Sequence, residues 1–330
     1  MEIINTIVGT PLGYVMRFCY RLLNNYGLAI ILFTLITKII MFPISLLVQK
    51  NSIKMVKMKP ELDALRYQYV DDKDAYVDAQ SALYKKEKYS PMAGVWPLLL
   101  QLPIIFGLLD VVYKPLKHLL HISADTASAF VARAAEISGM TVADLGSTAQ
   151  LTAVNLVKEN AAKFADIPGA DAAIEAIKGL NTNFLGIDLT QTPSISHINL
   201  IFFVPIIAGL SALLMCWIQN RINVLQIEQN KLSQWGMTIF MIAFSTFFAF
   251  IVPAGVGLYW AWGNLFAIGV MYLVNIIYSP KKYINYDALE DMKKQAAEEK
   301  DAENKEASAA EGGDWDTSGL TDDWGAEADG

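Results

Sequence analysis

Residues 27–48 read GLAIILFTLITKIIMFPISLLV, an apolar run interrupted by a single charge, Lys38. A helix rises ~1.5 Å per residue and the hydrocarbon core of a bilayer is ~30 Å thick, so about 20 apolar residues cross it. This run is long enough to span. Residues 92–113, 198–218, 235–252 and 256–278 meet the same test. Helices satisfy their own backbone hydrogen bonds where water is absent, and the alternating ten-residue segments of a membrane barrel are missing. The expected fold is an all-α integral membrane protein with five transmembrane helices. An apolar content of 54% and a mean hydropathy of +0.33 agree, being too apolar for an ordinary soluble domain.

Lys38 is the most informative residue. It lies about ten residues from one end of its span, or ~15 Å deep at the helical rise. A cation at such depth costs about 2.5–3.5 kcal/mol on insertion scales and faces a partner or a watery cavity. No acidic residue shares its span. At about 100° per residue, Thr34, Lys38, Ser45 and Gln49 fall within about 60° of one another. One face of the first span is a polar stripe, which points to a hydrophilic groove rather than to a lysine snorkelling along lipid. Gln101, Gln219 and Asn264 are further candidates to line it. A lone amide in a span more often bonds a neighbouring helix. Asp110, near the other end of its span, reads as an interface residue.

The flanks set the orientation. Lys50, Lys54, Lys57, Lys59 and Arg66 follow the first span, and Lys281 and Lys282 follow the last. Positive charge marks the cytoplasmic side. The N-terminus is therefore expected outside and the C-terminus in the cytoplasm, with Arg17 and Arg21 as exceptions at the outer surface. Residues 1–26 read as an interfacial amphipathic helix, its apolar residues interrupted by Pro11. Residues 49–91 read as a cytoplasmic helical hairpin, with Pro60 a kink in its first arm and Val70–Lys73 its turn. Residues 114–197 form an alanine-rich external helical insertion and residues 219–234 a cytoplasmic loop.

The formal charge of −7 hides a division. From Asp287 onward stand 15 acidic residues and 4 lysines, a net −11, which leaves +4 for the rest. Residues 279–330 thus read as an acidic cytoplasmic tail, polar enough to be disordered, in which Asp314-Trp315-Asp316 and Asp323-Trp324-Gly325 echo each other. Two cysteines, Cys19 and Cys216, imply neither a disulfide framework nor a metal site. Arg17-Phe18 is unlike the small-residue approach to a lipidated cysteine, and no signal-peptide pattern is expected. Phosphate loops, zinc-ligand spacings and nucleophile motifs are missing, so an enzyme is not expected and no cofactor is implied. His118, His121 and His197, in or beside the insertion, read as surface or packing residues.

An ordered set of motifs resembles the YidC family of membrane protein insertases over roughly residues 5–282. Thr34-Leu-Ile-Thr-Lys38-Ile-Ile-Met-Phe-Pro43 is similar to the family's first core span, with a basic residue five before a proline. Met58-Lys-Pro60-Glu-Leu-Asp-Ala-Leu-Arg66 resembles the start of its cytoplasmic hairpin. Leu83-Tyr84-Lys85, then Ser90-Pro91-Met-Ala-Gly94-Val-Trp-Pro97 and Gln101-Leu-Pro103, resemble the entry to its second core span. Val252-Pro253-Ala-Gly255-Val-Gly-Leu258-Tyr259-Trp260 and Asn264 resemble its tight external turn and last span. Order and spacing together make the match specific.

The resemblance implies an insertase and chaperone of the bacterial plasma membrane. It guides hydrophobic segments of new proteins into the bilayer through a positively charged groove open to the cytoplasm and to lipid. By position, Lys38 carries the groove charge, Thr34 and Trp260 touch substrate, and Gln101 and Gln219 line the groove. The implied partners are nascent membrane proteins and the lipid bilayer, with the Sec translocon, the ribosome or the signal recognition particle receptor as candidates. The hairpin receives the substrate or its targeting machinery. Three departures stand out. Lysine replaces the usual arginine, keeping the charge but losing the bidentate fork. The insertion is longer than in many members, and the tail is acidic where some members carry a basic one. The expected form is the shorter one, without a large N-terminal external domain. A transporter binding an anion at Lys38 is the rival reading, but no internal repeat supports it. A structural assembly factor leaves the polar stripe without a purpose.

Overall fold

The computed structural model describes residues 8–69, 72–195, 198–223 and 231–284, so the tail from residue 285, with its paired tryptophan motifs, and His197 lie outside the described residues. The chain divides into two compact units, residues 1–56 with 84–280 and residues 57–83 with 281–330.

The first unit opens with α1 (Thr10–Leu23). Pro11 sits in the first turn of this helix, where a fixed φ and a missing N–H cost nothing. Asn24 closes α1 in the left-handed conformation, and Asn25 Oδ1 accepts from Leu28 N at 3.1 Å to start α2 (Tyr26–Gln68). Two asparagines in a row thus stop one helix and begin the next. The 43 residues of α2 continue past the span and straight through Pro43 and Pro60 without interruption. The expected first arm of the hairpin is therefore the far end of the first span's own helix. Helix α3 (Lys73–Lys86), capped by Asp72 Oδ1 on Ala75 N at 2.9 Å, belongs mostly to the second unit, and α4 (Trp96–Tyr113) continues the first. Val70 and Asp71 of the expected turn lie outside the described residues.

The insertion holds α5 (Pro115–His118), α6 (Ala124–Ile137), α7 (Val142–Leu145), α8 (Ala149–Glu159) and α9 (Ala170–Lys178). Helix α8 stops at Glu159 and is followed by a 3₁₀ turn, Ala161–Phe164. Arg133 holds that turn in place, bonding Asp166 through both terminal nitrogens at 2.8 and 2.7 Å. Unforeseen in the sequence is a small antiparallel hairpin, β1 (Asn183–Phe184) with β2 (Ile187–Asp188). Three spanning helices complete the unit: α10 (Phe203–Ile222), α11 (Lys231–Ile251) and α12 (Ala254–Ile277). Among the described residues, five helices, α2, α4 and α10–α12, are long and apolar enough to cross a membrane.

Small residues let α10 approach its neighbours. A Cβ on Gly257 would lie 2.7 Å from Val204, and one on Gly209 would collide with the Thr246 hydroxyl. Such close backbone approach is how helices associate where lipid offers no hydrophobic driving force. Side-chain bonds join the same helices: Asn264 Nδ2 to Ser211 Oγ at 3.0 Å, Asn220 Nδ2 to Thr238 Oγ1 at 3.2 Å, and Trp260 Nε1 to Ser245 Oγ at 3.0 Å.

A continuous apolar core runs from the insertion into the adjoining halves of the spans. It joins Met16 and Cys19 of α1, Tyr26, Ile30 and Phe33 of α2, and Leu108 and Val111 of α4 to Phe130, Val157 and Ile177 of the insertion and Tyr259 of α12. Backbone bonds fasten the insertion to the span ends: Tyr26 N to Asn181 O, Ala254 N to Gln191 O and Gly255 N to Leu189 O, at 3.0, 2.8 and 2.9 Å. In the second unit, Met58, Leu62, Leu83 and Ile284 are buried and Lys57 Nζ lies 5.7 Å from the Tyr283 ring centre.

Candidate functional site

The apolar core ends on α2 at Phe33, whose ring faces Tyr259 at 6.4 Å. Just beyond, the chemistry changes. Tyr259 OH accepts from Gln101 Nε2 at 3.0 Å, and the next turn of α2 presents Lys38. From there a cavity of about 280 Å³ extends toward the end of the bundle away from the insertion. Its polar lining comes from Lys38, Ser45, Gln49 and Ser52 of α2, Gln101 of α4, Gln219 of α10 and Asn275 of α12, with Asn223 just past α10. A volume of that size holds several waters, each needing about 30 Å³ and two to four polar partners.

Most of these polar groups are held in place. Gln49 Nε2 donates to Asn275 Oδ1 at 2.9 Å and to Tyr278 O at 3.3 Å. Ser52 Oγ returns its proton to Val48 O at 2.9 Å within the helix. Lys38 is different. It is half-buried, and among the described residues it has neither a carboxylate nor a hydrogen-bond acceptor as partner. A cation without a counterion is a standing attraction for anionic groups.

More cations follow toward the same end. Lys50 Nζ lies 4.5 Å from the Tyr278 ring centre, Lys54 Nζ donates to Lys88 O at 2.8 Å, and the Arg221 guanidinium stacks 4.1 Å from the Trp217 ring centre. The remaining walls are apolar and pliable, with Met41, Met215 and Met271 among them. Thioether side chains adapt to varied shapes.

The sequence-derived candidates therefore separate. Lys38, Gln101 and Gln219 line one cavity, together with Ser45 and Gln49 of the stripe. Thr34 does not reach it. Thr34 is fully buried one turn before Lys38, with its hydroxyl donating to Ile30 O at 2.7 Å. Trp260 turns toward α11, its ring 5.9 Å from Phe244 and 5.0 Å from Phe248. Asn264 is buried against Ser211, and Asp110 belongs to a different cluster near the insertion.

Ser52, Asn223 and Asn275 were not singled out from sequence. Asn275 carried a usable signal: it follows Asn264 by three turns on the same face of an otherwise apolar helix. Ser52 and Asn223 lie where a span gives way to its flank, where polar residues are ordinary.

Residues 18–282 match the family described as 60Kd inner membrane protein. The chain is similar to proteins named membrane protein insertase YidC from Rhizobium meliloti (strain 1021), 27% identical over 260 residues, and from Sinorhizobium fredii (strain NBRC 101917 / NGR234), 29% identical over 260 residues. Each match covers 78% of this chain, and 34% and 35% of those proteins respectively. A similarly named protein of Brucella suis biovar 1 (strain 1330) is 27% identical over 260 residues, 78% of this chain and 34% of its own. The chain thus spans about a third of the length of the relatives it matches.

Proposed function

This chain belongs to the YidC family of 60Kd inner membrane proteins, and on that premise we propose that it inserts and chaperones new membrane proteins in a bacterial plasma membrane. The observation that carries the reading is Lys38, a cation with no partner among the described residues, set in a cavity whose lining combines amides and hydroxyls with methionine and aliphatic side chains. The site binds the short acidic or polar segment that a substrate must carry across. Water and fixed dipoles in the cavity replace the hydration that such a segment loses, so the remaining apolar distance is shorter than a full bilayer. The substrate's apolar helix meanwhile leaves sideways into lipid.

The roles divide by position. Lys38 attracts, Gln101 and Gln219 exchange hydrogen bonds with the substrate backbone, and the methionine walls accommodate different apolar sequences. Trp260, packed on Phe244 and Phe248, contacts the exiting apolar helix along α11. Thr34 is sealed behind Phe33 and Tyr259, so its contact with substrate requires that layer to part. The cavity opens to the cytoplasm, the N-terminus lies outside and the C-terminus within, as the lysines after the first and last spans support. The hairpin of residues 49–91 receives the nascent chain or its targeting machinery, with the Sec translocon, ribosome and signal recognition particle receptor as the candidate partners.

Purified protein in liposomes tests this directly. Insertion of a single-span substrate with an acidic external segment is compared for the parent, Lys38→Arg, Lys38→Ala and Lys38→Glu. Arginine should retain activity, while alanine and glutamate reduce it by roughly tenfold, a loss of about 1.4 kcal/mol in the limiting step. Equal insertion by all four would remove the charge from the mechanism, and no insertion by the parent would remove the function.

A further inference from the structure

We propose that the tip of the β1–β2 hairpin, Leu185, is a membrane anchor that seats the insertion on the bilayer surface. The two-residue loop Leu185–Gly186 has φ of 53° and 82°, the double left-handed geometry of a tight hairpin turn. Asparagine or aspartate followed by glycine is the usual choice there, because a Cβ at positive φ is strained. Leucine instead occupies the first position, and its side chain is 82% exposed. A strained backbone holding a large apolar side chain in the open calls for a function.

The surroundings identify the occupant. In the hairpin, Asn183 Oδ1 accepts from Gly186 N at 3.0 Å and Asp188 Oδ1 accepts from Thr190, while Phe184 and Ile187 pack against the core. Leu185 is the apolar side chain of the hairpin left in the open. A Cβ on Gly186 would lie 3.3 Å from Leu200 Cδ1, so the tip adjoins the entry to α10. Ile195 and Ile198, exposed by 77% and 76%, lead into that entry. From there the exposed residues Phe203, Ile207, Leu210 and Leu214 fall on one face of α10. Spacings of four, three and four residues make that face a single stripe along a spanning helix, the part of the surface that meets lipid. The Leu185 patch continues this stripe past the helix end, at the depth where headgroups give way to acyl chains. The far side of the hairpin is fixed, since Phe184 packs where Gly27 leaves room at the start of α2. The tip is held rigidly at the membrane surface.

Leu185→Cys, made with Cys19 and Cys216 replaced by alanine, carries a polarity-sensitive fluorophore in liposomes. The expected result is severalfold stronger quenching by a lipid nitroxide at the shallow acyl position than by aqueous iodide, and a blue-shifted emission. Ile198→Cys serves as a second reporter and should behave alike. Free access of iodide to both labels would overturn the proposal. So would protection from iodide without quenching by the lipid nitroxide, which would mean that a protein surface covers the tip.

Discussion

His118 Nε2 and Asp110 Oδ2 lie 2.8 Å apart, both side chains withdrawn from solvent, where α4 meets the insertion. Lys114 Nζ reaches the other carboxylate oxygen at 2.5 Å. Helix α1 closes over this cluster with two glycines, since a Cβ on Gly9 would stand 3.0 Å from Asp110 Oδ2 and one on Gly13 2.5 Å from His118 Nδ1. Removing one member of a buried, hydrogen-bonded charged cluster costs about 3–5 kcal/mol because its partners are left unpaired. Asp110→Ala should accordingly lower the thermal midpoint in detergent sharply, with Asp110→Asn falling between it and the parent. An unchanged midpoint for Asp110→Ala would show that the cluster contributes nothing to holding α1.

His121 predicts a dependence on pH. Partial burial and the nearby charges of Arg17, His118 and Arg21 lower its pKa below the usual 6.5. The folded state thus prefers the neutral ring, and the unfolded chain takes up a proton first as pH falls. The stabilisation is whole above about pH 6.5 and declines as pH drops through that value toward the folded pKa. His121→Asn removes the titration and suits the residue's φ of 51°. Between about pH 7.5 and about pH 5.5 the thermal midpoint of this variant should fall less than that of the parent. Equal falls would assign the pH response elsewhere.

Tyr26 is fully buried, and its hydroxyl is the buried side-chain polar atom that lacks a partner among the described residues. An unsatisfied buried donor costs about 1–3 kcal/mol. Tyr26→Phe keeps the ring and deletes the orphan, so it should raise stability by about 1 kcal/mol in equilibrium or thermal unfolding. A loss instead would reveal a partner, such as an ordered water, for that hydroxyl.

Gly257 meets Val204 so closely that a side chain must push α10 and α12 apart. Gly257→Val should destabilise the bundle by about 1–3 kcal/mol, the ordinary cost of overpacking. Gly263 has open space around it, and Gly263→Ala should be close to neutral. The pair of midpoints separates a packing effect from a general effect of helix glycines.

The spans were legible because their length and composition answer to one physical requirement, an apolar path across ~30 Å. The α2 stripe was legible for a similar reason: helical periodicity places Thr34, Lys38, Ser45 and Gln49 on one face. Periodicity gives direction but not depth into the bundle, so it could not tell that Thr34 is sealed while Lys38, one turn on, borders a cavity. The helical face of Asn275 could be read from its spacing to Asn264, but that it holds Gln49 needed the fold, since the two are 226 residues apart. The hairpin escaped because Asn183–Asp188 is too short to show alternation, and leucine at the turn hides its usual signature. The continuity of α2 was missed because the change from apolar to charged composition after Val48 reads as a boundary between a span and a separate arm, whereas one helix carries both, and Pro60, read as a kink, lies inside it.

The backbone bonds from Tyr26 to Asn181 and from Ala254 and Gly255 to Gln191 and Leu189 have a consequence in time. The first helical turn of α2 is made early in synthesis, but the carbonyl that satisfies its leading amide is 155 residues further along the chain. The first turn of α12 meets acceptors that already exist when it emerges. Contacts of such long sequence separation form late. The first span must therefore wait, its entrance unfinished, until the segment around residue 181 has been made and delivered to the same side of the bilayer, whereas the last span docks onto a completed rim. Biogenesis of this chain closes at its beginning rather than at its end.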